Sequence, residues 1–280
     1  MAITAADVKK LRDQTGAGMM DAKKALTEAD GDFVKATELL RITGAAKLAK
    51  RSDRDASNGI VAAAGSALIQ LGAETDFVAK NDEFVALAEQ IVIAVDKAGA
   101  DSVSSAQTVT LASGETVADA VSTIAAKIGE KIELVAVARF DGTTHSYLHQ
   151  RSKDLPPQVG VLVEFVGADE AAAHNIALQI ASMSPQYLTR ADVPADVVAN
   201  ETRIAEATAR EEGKPEVAIG RIVEGRVGAF YKDYCLLDQP SISDDKQSVG
   251  ALLKSKGIEI TRFVRFAALA LQQEIGRAHV

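Results

Sequence analysis

The 280-residue sequence predicts an α+β fold on three observations. Apolar residues at helical spacing fill residues 1–44, between recognisable helix caps. From Asn58 the apolar runs become short, and two of them flank Gly65-Ser66, as the strands of a hairpin do. The first unit after this change reads strand–strand–helix–helix–strand, which is typical of an antiparallel sheet covered by helices.

The composition excludes several classes of protein. Apolar residues make up 47% and charged residues 25% of the chain, the balance of an ordinary folded protein. The formal net charge of −8 argues against binding nucleic acid or anionic membranes through bulk electrostatics. The single cysteine, Cys235, excludes an intramolecular disulfide, and its apolar neighbours predict a buried thiol. With neither a secretory signal nor a membrane-spanning run, the sequence predicts a cytoplasmic protein.

Residues 1–44 predict an N-terminal domain of three short helices. Thr4 caps the first helix, with Asp7 in the capping-box position three residues later. Asp32 caps the third helix, which we expect to end at Gly44.

Residues 45–57 are basic and poor in apolar side chains, and we interpret them as a linker. No aromatic residue lies between the basic ones, which favours a solvated joint over a nucleic-acid patch. The basic residues are Lys47, Lys50, Arg51 and Arg54.

Residues 58–140 form the N-subdomain of a predicted core. After the hairpin, apolar periodicity predicts helices at 81–97 and 115–128. The Ser- and Thr-rich residues 100–114 between them are predicted to form a loop. A strand at 131–140 completes the unit.

Residues 141–185 and 232–266 resemble the first unit in outline and form a predicted C-subdomain. The core therefore contains two related antiparallel-sheet and helix subdomains. The predicted strands of the second are 143–149, 159–166, 234–237 and 258–266, and its predicted helices are 169–182 and 245–255.

Residues 186–231 interrupt the C-subdomain and predict an inserted antiparallel helical hairpin around Gly213-Lys214-Pro215. The residues expected to face inward on its first helix are Val197, Val198, Ile204 and Ala207. Two helices cannot bury both of their apolar faces alone, so the hairpin should lie on the core or on a partner. Self-association through the hairpin is one expectation that follows.

Two segments carry candidate binding residues. The adjacent Met19 and Met20 cannot both face one core, and an exposed methionine suits an adaptable binding surface. The alternative is that both lie in or at the edge of the core.

Phe77 follows Asp76 at a strand-to-helix junction, in a chain with eight Phe, four Tyr and no Trp. Phe77 is a candidate anchor for a partner's pocket. The alternative is that it packs on the local core while Asp76 caps a helix.

The motifs of the common enzyme classes do not stand out. Pro215 follows Gly213-Lys214, so this segment cannot form a phosphate-binding loop. His145 and His149 lie on one face of a predicted strand, but no third metal ligand is near them in sequence. We therefore expect a binding or regulatory protein that is not an enzyme and needs no metal or cofactor.

The segments Thr15–Leu26 and Glu74–Asn81 closely resemble those of the translation elongation factor Ts family. The resemblance covers almost the whole chain in the same order, which makes it specific. It also rests on Ala126–Glu130, Ser146–His149, Val159–Val163, Gly213–Pro215, Ile222–Arg226 and Arg262–Phe266. The resemblance implies an N-terminal ubiquitin-associated-like bundle of three helices, a core of two related subdomains and an inserted helical hairpin.

The resemblance also implies a function, which is binding of elongation factor Tu carrying GDP and promotion of GDP release. The release would follow from disturbance of the magnesium and phosphate site, after which GTP can bind. Arg12, Met19 and Met20 are implied to dock on a helix of the GTPase domain of elongation factor Tu. Asp76 and Phe77 are implied to reach the neighbourhood of its magnesium site, with Phe77 entering an apolar pocket.

By the same resemblance, Ile128 and Gly129 approach the GTPase domain, and His149 faces the third domain of elongation factor Tu. The chain departs from the family around Ile242, which is the single apolar residue in a segment where relatives can present several. Whether this segment keeps the family's contact is therefore an open question. The chain departs again in residues 267–280, which do not resemble the family ending. We interpret this tail as non-native sequence and assign it no function.

Two other functions stay open on the residues alone. The N-terminal bundle can act as a general protein-interaction adaptor, in which case residues 58–266 are not needed for activity. His149 and an acid can serve a small-molecule enzyme, which requires a pocket where the two converge.

Overall fold

The computed structural model of the protein contains eleven α-helices and six β-strands in the residues that it describes. These are residues 3–49, 51, 53–150, 152 and 155–269. Helices combined with two three-stranded antiparallel sheets, after an N-terminal three-helix segment, confirm the predicted α+β fold. No helix within the described residues is long and apolar enough to cross a membrane.

The chain divides into two compact units. The first contains the chain up to Arg139, Leu148–Gly160 and the chain from Phe266, and the second contains Phe140–Tyr147 and Val161–Arg265. The N-terminal helices have a small buried apolar core of their own, separate from the main core of each unit. Most of the predicted tail of residues 267–280 lies outside the described residues.

The N-terminal helices are α1 (Ala5–Thr15), α2 (Met19–Glu28) and α3 (Phe33–Ala49). The predicted capping box is confirmed, because the Asp7 amide donates to the Thr4 hydroxyl (3.2 Å) and the Thr4 amide donates to the Asp7 carboxylate (3.0 Å). The side chains buried between these helices are Val8, Leu11, Ala22, Ala25, Leu26, Ala29 and Ala36.

The third helix begins as predicted but does not end at Gly44. The Asp32 carboxylate accepts hydrogen bonds from two amides of the first turn, at 2.9 and 3.1 Å. The helix continues through Gly44 to Ala49, so the expected end at the glycine is wrong. A Cβ atom at Gly44 would lie 3.1 Å from the methyl group of Ala126, which indicates that the glycine permits close packing rather than a cap.

The first sheet contains β1 (Asn58–Ala64), β2 (Ala67–Ala73) and β3 (Ile132–Arg139), antiparallel and in that order. The hairpin predicted at Gly65-Ser66 is confirmed by the pairing of β1 with β2. The helices of this unit that follow the hairpin are α4 (Asp76–Ala79), α5 (Asp82–Ala98), α6 (Val103–Gln107) and α7 (Val117–Ile128). Apolar side chains of α5 and α7 pack on the sheet.

Helix α6 corrects the prediction of a loop over residues 100–114. Ser102 caps this helix, and its hydroxyl accepts a hydrogen bond from the Ser105 amide (3.3 Å) while the Ser105 hydroxyl accepts from the Ser102 amide (3.2 Å). A serine therefore takes the place that glutamate usually takes in a capping box, and Ala106 is buried beneath it.

The remaining elements are β4 (Thr144–His149), β5 (Val159–Val166), α8 (Glu170–Met183), α9 (Ala195–Glu211), α10 (Glu216–Tyr234), α11 (Val249–Lys256) and β6 (Glu259–Ala267). The second sheet has the order β4-β5-β6. The strand predicted at 234–237 is wrong, because Tyr234 ends α10 and Leu236–Asp238 form a single 3-10 turn.

Cys235 is fully buried as predicted, and burial together with the charge of Asp238 raises the pKa of its thiol to about 11.

Helices α9 and α10 form the predicted hairpin, but its packing differs from the prediction. Ala205, Ala209 and Ile219 are buried, whereas Ile204 and Ala207, which were expected to face inward, are exposed. The small side chains of Ala205 and Ala209 let the two helices approach closely, while Ile204 stays outside the contact. Val217 is 98% exposed.

The turn after α1 packs against helix α7. Gly16 ends α1 with a left-handed conformation (φ 69°), and its amide donates to the Arg12 carbonyl at 2.7 Å. A Cβ atom at Gly16 would overlap the aliphatic part of the Lys127 side chain, whose ammonium group lies 2.6 Å from the Glu83 carboxylate. Gly16 is therefore one contact between the N-terminal helices and the rest of their unit, and a side chain at this position would have to displace Lys127.

We predict that Gly16→Ala lowers the free energy of unfolding by about 2 kcal/mol, since it adds left-handed strain and displaces Lys127 from Glu83. Gly99→Ala is the matched control, because Gly99 also ends a helix with positive φ (72°) but has open space beside it. The control should lose only about 1 kcal/mol. Chemical denaturation measures both, and equal losses would show that the contact with Lys127 contributes nothing.

The Glu164 carboxylate on β5 connects several residues at one end of the second sheet. Glu164 accepts hydrogen bonds from Arg262 (2.9 and 3.0 Å), the Thr261 hydroxyl (2.8 Å) and the Gly142 amide (2.9 Å). The Arg262 guanidinium also lies 4.2 Å from the centre of the Phe140 ring. The hydrogen bonds from Arg262, which outweigh the opposing effect of burial, lower the pKa of the Glu164 carboxyl from 4.5 to about 2.

Because this pKa is lower in the folded state, ionised Glu164 stabilises the fold above about pH 4.5, and that contribution disappears as the pH falls towards 2. We predict that Glu164→Gln lowers the free energy of unfolding at neutral pH, because it removes the charge that Arg262 binds. The loss should be only about 1–2 kcal/mol, since solvent screens the half-exposed Arg262. Urea denaturation at neutral and at acid pH should show this difference shrinking on acidification. A difference that is the same at both pH values would contradict the assignment to charge.

Candidate functional site

Helix α4 is a single turn that presents one exposed aromatic side chain. Val78 and Ala79 of this turn are buried in the core of the first unit, whereas Asp76 is exposed and Phe77 is 78% exposed. The alternative that Phe77 packs on the local core is therefore wrong. Asn81 then caps α5, accepting hydrogen bonds from two amides at 2.9 and 3.2 Å, so the turn is anchored at its far end.

The Glu74 carboxylate anchors the near end of the same turn. It accepts hydrogen bonds from the Lys131 amide (2.7 Å), Arg54 (2.8 Å) and Arg51 (3.2 Å). Burial alone would raise the pKa of this carboxyl, but these hydrogen bonds outweigh it and hold the pKa below its ordinary value. Arg51 and Arg54 of the predicted linker are therefore bound to Glu74, although Arg54 remains 57% exposed. Lys50 lies outside the described residues, and the linker as a whole stays a prediction.

Glu130 makes the reciprocal connection. Its carboxylate accepts hydrogen bonds from the Thr75 amide (3.1 Å) and the Thr75 hydroxyl (3.0 Å). Glu74 and Thr75 are thus bound to Lys131 and Glu130, two residues that follow Gly129 at the end of α7. The structure brings the Asp76–Phe77 turn and the end of α7 together through these contacts.

The end of α7 carries two further predicted binding residues. Gly129 ends the helix with positive φ (82°), and its amide donates to the Ala125 carbonyl at 2.8 Å. Open space surrounds the position where a Cβ atom would be, so the backbone conformation and not crowding requires glycine there. Gly129 is exposed and Ile128 is half-buried against the first core, so a partner can reach both.

The N-terminal helices expose a methionine pair. Met19 is 46% exposed and Met20 is 74% exposed, while Ala22, Ala25 and Leu26 are buried on the side of α2 opposite to Met20. Met20 therefore does not belong to the core, whereas the exposure of Met19 fits a position at the edge of the core. Arg12 is also exposed and pairs with its neighbour Asp13 at 3.2 Å, a weak surface interaction that a partner's acid can replace.

The two histidines on β4 do not form a metal site with each other. His145 Nε2 lies 3.0 Å from His174 Nδ1 on α8, and burial together with the charge of His174 lowers the pKa of His145. His149 is exposed at the end of the strand. Within the part of the chain that the structure describes, no three His, Cys, Asp or Glu side chains are placed to hold a metal ion.

Sequence reasoning missed the residues that hold the site. Glu74, Thr75 and Glu130 all lie beside predicted binding residues, but a carboxylate accepting a backbone amide far along the chain leaves no periodic signal. Their place in the sequence could have pointed to them, since Glu74 lies two residues before Asp76 and Glu130 directly follows Gly129.

Comparison with known proteins identifies the family. The family model described as Elongation factor TS matches residues 74–268. Elongation factor Ts of Cutibacterium acnes is 65% identical over 268 residues, covering 96% of this chain and 99% of that protein. Those of Mycolicibacterium vanbaalenii and Saccharopolyspora erythraea are 59% and 55% identical over 275 residues, covering 98% of both chains in each case. The chain therefore belongs to the elongation factor Ts family and is a translation elongation factor.

Proposed function

We propose that this translation elongation factor binds elongation factor Tu carrying GDP in the cytoplasm and promotes release of the GDP. The observation that carries the proposal is Phe77, an exposed aromatic next to Asp76 on a turn that is anchored at both ends. Aromatic side chains with large exposed surfaces are typical anchors of protein interfaces.

The proposed action is nucleotide exchange, in which no covalent bond forms or breaks, so the protein is not an enzyme. Its binding to elongation factor Tu is coupled to loss of GDP. The coupling is reciprocal, because GDP must weaken the binding of this protein by the factor by which this protein weakens GDP. The protein can shift its partner only by its different affinities for the GDP-bound and the empty states.

We assign the central action to the α4 turn. Phe77 enters an apolar pocket of the GTPase domain and displaces its packing, while the Asp76 carboxylate approaches the magnesium site. Magnesium and a phosphate-binding loop hold much of the GDP, so disturbing both weakens it. A loss of ~3 kcal/mol of ground-state binding, fully expressed in the barrier, speeds release by about a hundredfold.

The other predicted binding residues supply affinity in this proposal. Arg12, Met19 and Met20 dock on a helix of the GTPase domain, since exposed methionines adapt to a partner's surface. Ile128 and Gly129 meet the same domain beside Phe77. His149 contacts the third domain of elongation factor Tu.

We predict that Phe77→Ala slows the release of fluorescent GDP from elongation factor Tu by at least about tenfold, because the wedge is removed. Its free energy of unfolding should change little, since Phe77 is mostly exposed. Ile93→Ala is the control, because Ile93 is an exposed apolar residue of α5 outside the proposed interface.

Wild-type exchange by Phe77→Ala would contradict the proposed role of the turn. That result would favour the alternative of an adaptor acting through the N-terminal bundle, which predicts that residues 58–266 are dispensable.

We also propose that the α9–α10 hairpin associates with a second copy of the chain, because both of its helices leave an apolar side chain exposed, Ile204 on α9 and Val217 on α10. We predict that Val217→Asp reduces the average mass seen by sedimentation velocity at high protein concentration, since a charge opposes burial. Val34→Asp on α3, where Val34 is 79% exposed, is the control. Equal masses of Val217→Asp and wild type over the whole concentration range would contradict this contact.

A further inference from the structure

We propose that Glu130 is a positioning residue for nucleotide exchange, which holds the Asp76–Phe77 turn in the orientation in which it acts. The inference rests on the proposed function and assigns a role to a residue that touches neither the nucleotide nor the pocket that Phe77 enters. Four observations on the described residues support it.

The first observation is an uncapped helix start. Thr75 stands at the N-cap position of α4, where a threonine hydroxyl ordinarily accepts a hydrogen bond from the first turn. No such bond forms here. The hydroxyl lies 3.0 Å from each oxygen of the Glu130 carboxylate instead. Thr75 therefore connects α4 to Glu130 at the expense of its capping role.

The second observation is that the backbone itself is held. The Thr75 amide donates to Glu130 at 3.1 Å, so both the side chain and the main chain of Thr75 are bound to one carboxylate. Fixing the residue that directly precedes Asp76 fixes the direction in which the short helix leaves the sheet.

The third observation is reciprocity. The Glu74 carboxylate accepts the Lys131 amide at 2.7 Å, while the Glu130 carboxylate accepts the Thr75 amide. We call these four residues, Glu74, Thr75, Glu130 and Lys131, the carboxylate clamp. Two adjacent residues before α4 are thus joined to two adjacent residues after α7. Two contacts prevent the turn from rotating about either one of them. Glu74 is only 10% exposed, so solvent competes weakly for it.

The fourth observation is that Phe77 cannot position itself. Most of its side chain is exposed, so its orientation depends on the backbone that carries it. If the clamp is released, the turn samples several orientations, and only a fraction of molecules presents Phe77 correctly. The observed activity then falls in proportion to that fraction.

The test is a double-mutant cycle on the release of fluorescent GDP from elongation factor Tu. Glu130→Ala should lower the maximal rate by about tenfold if one orientation in ten remains competent. Glu130→Gln and Thr75→Ser keep the acceptor and the hydroxyl and should stay near the wild-type rate. Glu89→Ala, at an exposed glutamate of α5, is the control for loss of one negative charge. In a Phe77→Ala background, Glu130→Ala should have almost no further effect, because its action passes through Phe77.

A second measurement reads the orientation without the partner. Fluorine-labelled Phe77 should give one narrow NMR signal in the wild type and a broadened or divided signal in Glu130→Ala, with an unchanged circular dichroism spectrum. Effects of Phe77→Ala and Glu130→Ala that multiply, or an unchanged fluorine signal in Glu130→Ala, would overturn the proposal. If wild-type protein does not accelerate GDP release at all, the proposed function is wrong. A fluorine signal that still responds to Glu130→Ala would then show that Glu130 orients the turn even though the turn does not act in exchange.

Discussion

The Glu74 carboxylate is the point at which three distant parts of the chain meet. Arg51 and Arg54 reach it from the segment after α3, the Lys131 amide reaches it from the start of β3, and Glu74 itself follows β2. A buried carboxylate without these partners would be costly, so the segments hold one another in place. The segment that follows α3 is thus bound to the same group that anchors α4.

This arrangement explains how an exposed side chain can act with a defined direction. A protein that must insert an aromatic group into its partner cannot bury that group in its own core, and so it loses the usual means of orienting it. Here the backbone on either side of the turn is anchored instead, by Glu130 at Thr75 and by the cap of Asn81. Under the proposed function, most of the ordering entropy is lost before binding, so more of the interaction free energy is left to weaken GDP.

Local patterns predicted much of this fold, and contacts between distant residues account for the rest. The cap at Asp32 and the hairpin were readable because side chain and backbone interact within a few residues. The end of α3 was misjudged because Gly44 serves a contact with Ala126, which is far along the chain. Residue type and position left the exposure of Phe77 open, because an aromatic at a strand-to-helix junction can also pack on the local core. The contact between Glu130 and Thr75 left no local pattern, because its hydrogen bond spans 55 positions.

The proposed function requires that the protein accelerate GDP release from elongation factor Tu. The most direct measurement is stopped-flow release of fluorescent GDP while wild-type protein is raised to saturation. We expect the rate to rise hyperbolically to a limit about a hundredfold or more above spontaneous release. A rate that stays at the spontaneous value at every protein concentration would contradict the proposed function.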